Sequence, residues 1–337
     1  MKVLVIGGTL FIGRGLVAEL LKAGHDVTIL HRKPGHDFGR RVHELVADRN
    51  DPEALRAAIS GKRFEIVFDN VYDWQRGTTA AQVEATARAC DDTLKRYVFM
   101  SSVAAYGDGL NHHEGDALAP DSHPDPYVRN KAMSERALFR MYQRSGFPVV
   151  TLRPPFIYGP GNPFYREAFF WDRMRDHRPV ILPGDGHRLM QFVYIKDLIG
   201  ACLKAAETPG TAGHAFNVAN CRPVTQEELL RLLAEACGKK ATIVHVPRRL
   251  IQEMGGSPFG PNLYFGYYFD LPPITEIVSK AQRMLHFQPT DFLTGLKETY
   301  RWYLRHHVKD TSNYPFEDRL LAAAARLQQQ QTASPLH

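Results

Sequence analysis

A short apolar run that breaks at a glycine pair and reopens as a helix constrains this chain more than any other feature. Residues 1–13 read Met-Lys-Val-Leu-Val-Ile-Gly-Gly-Thr-Leu-Phe-Ile-Gly. The pattern predicts a strand over Val3–Ile6, a turn opening at Gly7, Gly8 and Thr9, and a helix with Leu16, Val17, Leu20 and Leu21 on one face. Gly24 ends that helix, and Asp26–Leu30 reads as a second strand. Such a turn places backbone N–H groups at a helix N-terminus, where the dipole favours the pyrophosphate of a dinucleotide. Gly7 and Gly13 are the first and last glycines of that fingerprint, and the middle position is Leu10. The turn is a variant that works only if the leucine side chain points away from the phosphates.

The alternation continues. Val42–Ala47 reads as a third strand ending at Asp48-Arg49, a polar pair able to meet an adenine edge. A helix opens at Asp51-Pro52-Glu53, Glu65–Asp69 is a strand, Thr78–Cys90 a helix and Tyr97–Ser101 a strand. Strands alternating with helices predict a parallel sheet covered on both faces. An NAD site carries an acid about 20 residues after the glycines, to hold the ribose 2′-hydroxyl. Here that place holds His31-Arg32-Lys33. The two cations Arg32 and Lys33, with His31 beside them, suit a 2′-phosphate, so NADP is favoured over NAD; the plain alternative is a solvated basic loop.

The chain has 337 residues, 44% hydrophobic and 23% charged, enough for one large or two intimately packed domains. No apolar run reaches transmembrane length. The first strand follows Met1-Lys2 directly, leaving no room for a signal peptide, and Cys90, Cys202, Cys221 and Cys237 form no C-x-x-C pair. Both features lead us to expect a cytoplasmic protein with reduced thiols and no metal site. The net charge of +6 fits anionic ligands and makes nucleic acid an unexpected partner.

Chemistry gathers after the Tyr97 strand, at Ser101-Ser102-Val-Ala-Ala-Tyr106-Gly107 and at Tyr127-Val-Arg-Asn-Lys131, where a helix starts. Strand C-termini are where ligands sit in open α/β sheets. Tyr127 and Lys131 share a helix face. A tyrosine titrating near 10 is a poor base until a neighbouring lysine cation stabilises its phenolate. A serine hydroxyl nearby can orient a substrate oxygen.

Together these stretches resemble the extended short-chain dehydrogenase/reductase superfamily, and within it the NAD-dependent epimerase/dehydratase family. The resemblance also includes Leu152-Arg-Pro-Pro-Phe-Ile-Tyr-Gly-Pro160, Gly184-Asp-Gly and Phe192-Val-Tyr-Ile-Lys-Asp197. It implies a catalytic set of Ser102, Tyr127 and Lys131. It further implies Phe11 and Ile12 in the cofactor turn, Ser101 beside the cofactor, Pro154 and Pro155 flanking the nicotinamide, and a homodimer through the Tyr127 helix. It implies an NAD(P)-dependent epimerase or oxidoreductase, acting on a secondary alcohol or ketone of a sugar or nucleotide-sugar. There are departures. Val103 and Ala104 stand where the family's 4,6-dehydratases carry Asp-Glu, Phe156 where nucleotide-sugar enzymes carry asparagine, and Met190-Gln191 where they carry an arginine. Arg188 is the candidate substitute for that arginine. Apolar groups at such places admit an NADPH-dependent ketoreductase of a less polar substrate. The C-terminal half also resembles chloroplast stem-loop RNA-binding proteins of the superfamily, in which the Tyr/Lys pair is degraded; here the pair is intact.

The expected fold is α/β: a Rossmann-type doubly wound parallel sheet with a smaller C-terminal substrate-binding α/β region. Residues 1–160 form the sheet, with strands returning from about 190–220; residues 161–315 form the substrate region, and 316–337 a C-terminal helix and disordered tail. Phe164, Tyr165, Phe169, Phe170 and Trp171 either line a pocket or pack a helix on the core, the second being favoured. The aromatic stretch Pro258–Phe269 suits a substrate lid or a subunit contact equally. His112-His113-Glu114 lacks further ligands at metal spacing and reads as a polar loop beside the site.

Overall fold

The structure, a computed structural model, describes residues 1–309 and 313–333. Its chain divides into two compact units: residues 1–157, 191–221 and 274–290, and residues 158–190, 222–273 and 291–337. The return of 274–290 to the first unit is absent from the sequence reading, which also sets residues 316–337 apart.

The first unit is built on seven parallel strands: β1 (Lys2–Ile6), β2 (Asp26–His31), β3 (Val42–Val46), β4 (Ile66–Asp69), β5 (Arg96–Met100), β6 (Val149–Arg153) and β7 (His214–Asn217). Their order is β7-β6-β5-β4-β1-β2-β3, with Val3 opposite Val27 on one side and Ile66 on the other. The direction of winding therefore reverses between β1 and β4, the switch point at which such sheets bind ligands. Val3 to Ile6 have no exposed surface, as a strand covered by helices on both faces requires.

The helices start where the sequence supplies caps. α1 (Phe11–Lys22) buries Leu16, Val17 and Leu20. α2 (Pro52–Ile59) is capped by Asp51, which accepts from the Glu53 and Ala54 N–H groups. α3 (Ala80–Arg88) has a reciprocal capping box between Thr79 and Gln82. α4 (Pro126–Ser145) begins at Asp125, with proline at its first position, and stops at Gly146 in the left-handed region. Tyr127 is thereby fixed in the first turn of a 20-residue helix.

The second unit carries α5 (Glu167–Arg175) and two short strands, Val180–Pro183 and Ile243–Val246, paired in parallel. Phe169, Phe170 and Trp171 are buried, and the Trp171 indole donates to the Leu233 carbonyl. These rings form core. Asp172 holds three groups, the Tyr165 and Tyr303 hydroxyls and the His307 ring. Tyr264, Phe265 and Phe269 are buried as well, so the Pro258–Phe269 stretch is core over half of its rings, with Phe259 exposed. Gln328–Gln331, expected in a disordered tail, belong to a helix over Pro315–Ala333; residues 334–337 lie outside the described residues. No described helix is long and apolar enough to cross a membrane.

Glu167 opens α5 fully buried. Its Oε2 accepts from the Asn162 amide, while Oε1 has no partner. Desolvation pushes its carboxyl up to about 7, against the pull of the Arg166 charge. The folded unit thus keeps a proton that the unfolded chain releases from its ordinary value, so stability falls as pH rises from about 4.5 to about 7 and then levels. Glu167→Gln removes that cost. We expect urea unfolding to show a gain on the order of 3 kcal/mol at about pH 8 and none at about pH 4. An equal gain at both values would contradict the assignment.

Candidate active site

Close packing builds the glycine turn. Gly7, at φ 83°, donates its N–H to Leu30 O at 2.9 Å. A Cβ at Gly13 would lie 1.8 Å from the Gly7 carbonyl oxygen, so α1 abuts the turn as closely as bare backbone allows. Leu10 is extended and 73% exposed, so no neighbouring side chain holds it over the turn. α1 has no side-chain cap, which leaves its first N–H groups for an anion. Gly8 and Thr9 complete the turn, and Phe11 and Ile12 begin the helix. This cradle fits the pyrophosphate of a dinucleotide.

At the ends of β2 and β3 the structure separates residues that the sequence reading grouped. Arg32 is half exposed and reaches Asp73 at 3.1 Å. His31 turns away to Glu44 at 2.6 Å. Asp48 receives Arg76 at 2.7 Å. Arg49, expected with Asp48 at an adenine edge, is buried instead. Its guanidinium meets Asp69 at 2.5 Å and Thr86 Oγ1 at 2.6 Å. A buried charge must be paired, and Asp69 claims this side chain.

Ser101 also departs from expectation. It is buried and donates to Glu135, a fully buried carboxylate that also receives Arg153 at 2.6 Å. Ser102 alone of the pair stays partly open. Its hydroxyl accepts from the Ala104 N–H at 3.2 Å and lies 3.5 Å from Pro154 O. The Val103 N–H donates to that same Pro154 carbonyl at 3.0 Å, which ties the serine strand end to Pro154-Pro155. Lys131 is buried, with Nζ 2.6 Å from Met100 O and 5.8 Å from the centre of the Tyr127 ring. Desolvation holds its ammonium down at about 8, with the Asp69 charge pulling the other way.

The sequence reading does not contain Tyr72 and Trp74. Trp74 stacks on Tyr127, ring centres 4.8 Å apart and planes 23° apart. Tyr72 meets the Tyr127 ring edge-on at 4.8 Å, its hydroxyl held by Asn130 at 3.2 Å. Both follow β4 at the switch point, and that position is the signal that could have found them. Phe156, which stands in the asparagine place, lies 5.7 Å from Phe192. Arg188, in the second unit, donates to Asp270 at 2.7 and 3.0 Å. His112 stacks on Tyr106 at 4.2 Å and bonds to Asp108 O at 2.5 Å. Among the described residues no group of three or more His, Cys, Asp or Glu is placed to hold a metal.

The model of the NAD dependent epimerase/dehydratase family matches residues 3–219. The chain is 29% identical over 348 residues to the chloroplast stem-loop binding protein of 41 kDa b of Arabidopsis thaliana, covering 97% of this chain and 86% of that one. It is 25% identical over 324 residues to a 3-beta-hydroxysteroid dehydrogenase of Mycolicibacterium neoaurum, covering 86% and 87%. In fold it is similar to dTDP-glucose 4,6-dehydratase from Bacillus anthracis in complex with NAD, with TM-score 0.74 and 18% identity over 91% of this chain and 97% of that one. With a cradle for a dinucleotide at the switch point and the family's model matching most of the chain, this protein belongs to the NAD-dependent epimerase/dehydratase family and is an NAD(P)-dependent enzyme.

Proposed function

We propose that this protein oxidises a secondary alcohol or reduces the matching ketone, with Tyr127 as acid and base and NADP preferred over NAD. The observation that carries the reading is the Tyr127–Lys131 pair on one face of α4, with Lys131 buried behind the tyrosine. The bound nicotinamide supplies or accepts the hydride. Gly7, Gly8, Thr9, Phe11, Ile12 and Gly13 hold its dinucleotide, with Arg32 toward the 2′-phosphate, Asp48 toward the adenine, and Pro154 and Pro155 beside the nicotinamide. Tyr127 takes the carbinol proton in oxidation and returns it in reduction. The Lys131 cation favours the phenolate needed for the first direction. Ser102 donates its hydroxyl proton to the substrate oxygen and fixes its place.

The Phe156–Phe192 ring pair, in place of an asparagine, favours a weakly polar substrate over a nucleotide-sugar. The similarity to a 3-beta-hydroxysteroid dehydrogenase supports that choice. The test begins with protein purified without added cofactor. Released nucleotide is identified by mass, and NADPH consumption is then followed with a 3-ketosteroid, a 3-oxoalkanoate and a UDP-sugar. Turnover with an apolar ketone and exchangeable NADPH is expected. Retained NAD with UDP-sugar interconversion would replace this reading by an epimerase, and binding of neither cofactor would end it.

The similarity to the stem-loop binding protein over 97% of the chain favours a second reading, an RNA ligand. Stem-loop RNA binding that falls steeply with salt and ignores Tyr127→Phe would establish it.

A further inference from the structure

Two guanidiniums of the first unit converge on one carboxylate oxygen. Asp73 Oδ2 accepts from Arg32 Nη1 at 3.1 Å, from Arg76 Nε at 2.9 Å and from Arg76 Nη2 at 2.8 Å. Three N–H groups from two arginines on a single oxygen is the arrangement that receives a phosphate oxygen. Asp73 is 8% exposed, whereas the side chains of both arginines are at least half exposed and can be reached from solvent. Asp48 grips Arg76 Nη2 from its other side at 2.7 and 3.0 Å, which keeps that guanidinium in place when Asp73 lets go.

The same aspartate shapes a turn. Its Oδ1 accepts the Gln75 and Arg76 N–H groups at 2.9 and 3.0 Å. Trp74 lies inside that turn, between Asp73 and the two N–H groups it caps, and stacks on Tyr127. One side chain therefore touches both the cation pair and the residue that covers the acid/base tyrosine.

We propose that Asp73 is an internal stand-in for the cofactor's 2′-phosphate. Arg32 and Arg76 together are the phosphate receptor, and their transfer from Asp73 to the phosphate shifts Trp74 on Tyr127. The proposal rests on the NADP reading above and adds two things. It assigns the second phosphate-binding cation to Arg76, where the sequence pointed to Lys33. It also links cofactor identity to the catalytic tyrosine. A phosphate carrying nearly two charges outcompetes a carboxylate carrying one for the same donors. Asp73 then loses its side-chain partners and keeps its backbone cap, so the capped turn, no longer drawn toward the guanidiniums, moves as a unit and carries the indole with it.

The test uses the full chain and two probes without nicotinamide, 2′,5′-ADP and 5′-AMP, followed by calorimetry and tryptophan emission. Trp171 and Trp302 are the other indoles of the sequence, and both belong to the second unit. 2′,5′-ADP is expected to bind roughly tenfold or more tightly than 5′-AMP. Arg32→Ala and Arg76→Ala each weaken 2′,5′-ADP about tenfold and leave 5′-AMP unchanged. Asp73→Asn, which preserves a capping oxygen and removes the charge, tightens 2′,5′-ADP about threefold to tenfold. 2′,5′-ADP alters emission, 5′-AMP does not, and Trp74→Phe abolishes the response. If 2′,5′-ADP binds tightly and only Arg32→Ala weakens it, the stand-in is refuted while the NADP reading stands. If it binds no better than 5′-AMP, the NADP reading fails first. An emission change that survives in Trp74→Phe refutes the link to Tyr127.

Discussion

Tyr127→Phe is expected to lower kcat by about 10²–10⁴-fold and to leave the dissociation constant of NADPH within about twofold of its wild-type value. The substitution removes one oxygen and one proton. The ring that remains still fills the place between the Trp74 face, 4.8 Å away, and the Tyr72 edge, also at 4.8 Å. Asp125 still caps the helix through backbone N–H groups, including that of residue 127 itself at 2.8 Å. Folding and the cofactor cradle are thus untouched, and what is lost is the group proposed to move the carbinol proton. Steady-state rates with calorimetric titration of NADPH separate the two effects. Wild-type turnover in the variant would remove Tyr127 from the acid/base role. The Lys131 contribution has its own signature. Its cation persists below about 8 and is lost as pH rises through that value, because burial disfavours the charge. The assisted phenolate therefore loses its counter-charge on the alkaline side, and the rate of alcohol oxidation stops rising there.

The sheet was legible in the sequence because its signals are local. An apolar run such as Val3–Ile6, a glycine turn and a helix opened by Asp-Pro such as α4 each occupy a few adjacent residues, and the parallel sheet follows from their alternation. The Tyr127–Lys131 pair was legible for the same reason, since four residues on a helix bring two side chains to one face. What was not legible depends on partners distant in sequence. Nothing around Arg49 announces that Asp69, twenty positions on, turns its guanidinium inward. Nothing around Trp74 announces that Tyr127 lies beneath it. The second unit shows the same limit in another form: aromatic clustering at Phe169–Trp171 is compatible with a pocket wall or a core, and only burial decides. Glu135 stands between these cases. It follows Lys131 by four residues on the same helix face, so its inward direction was readable, but its partners on β6 were not.

That carboxylate sets the largest stability effect we expect. Glu135 has no exposed surface and receives Arg153 Nε at 2.9 Å, Arg153 Nη2 at 2.6 Å, Thr151 Oγ1 at 3.2 Å and the Ser101 hydroxyl. Arg153 continues the network to the Tyr106 hydroxyl at 2.7 Å, and that hydroxyl donates to Asn217 Oδ1 at 2.7 Å. Glu135→Leu leaves a buried guanidinium and two hydroxyls without their acceptor. Breaking one side of such a pair costs about 3–5 kcal/mol, a large part of the roughly 5–15 kcal/mol that holds a typical protein folded. Adding Arg153→Met to Glu135→Leu removes the stranded charge. Most of the loss should then return, since an apolar pair escapes the desolvation that the ion pair bears. Catalysis should not return with it. Ser101 precedes Ser102 and Arg153 precedes Pro154, so the network holds Ser102, the proposed catalytic serine, and Pro154-Pro155, the prolines proposed to flank the nicotinamide, to a common frame. Urea midpoints are expected to fall sharply in Glu135→Leu and to recover in the double variant, while kcat stays depressed in both. Recovery of kcat along with stability would show that Glu135 supports the fold without positioning the site.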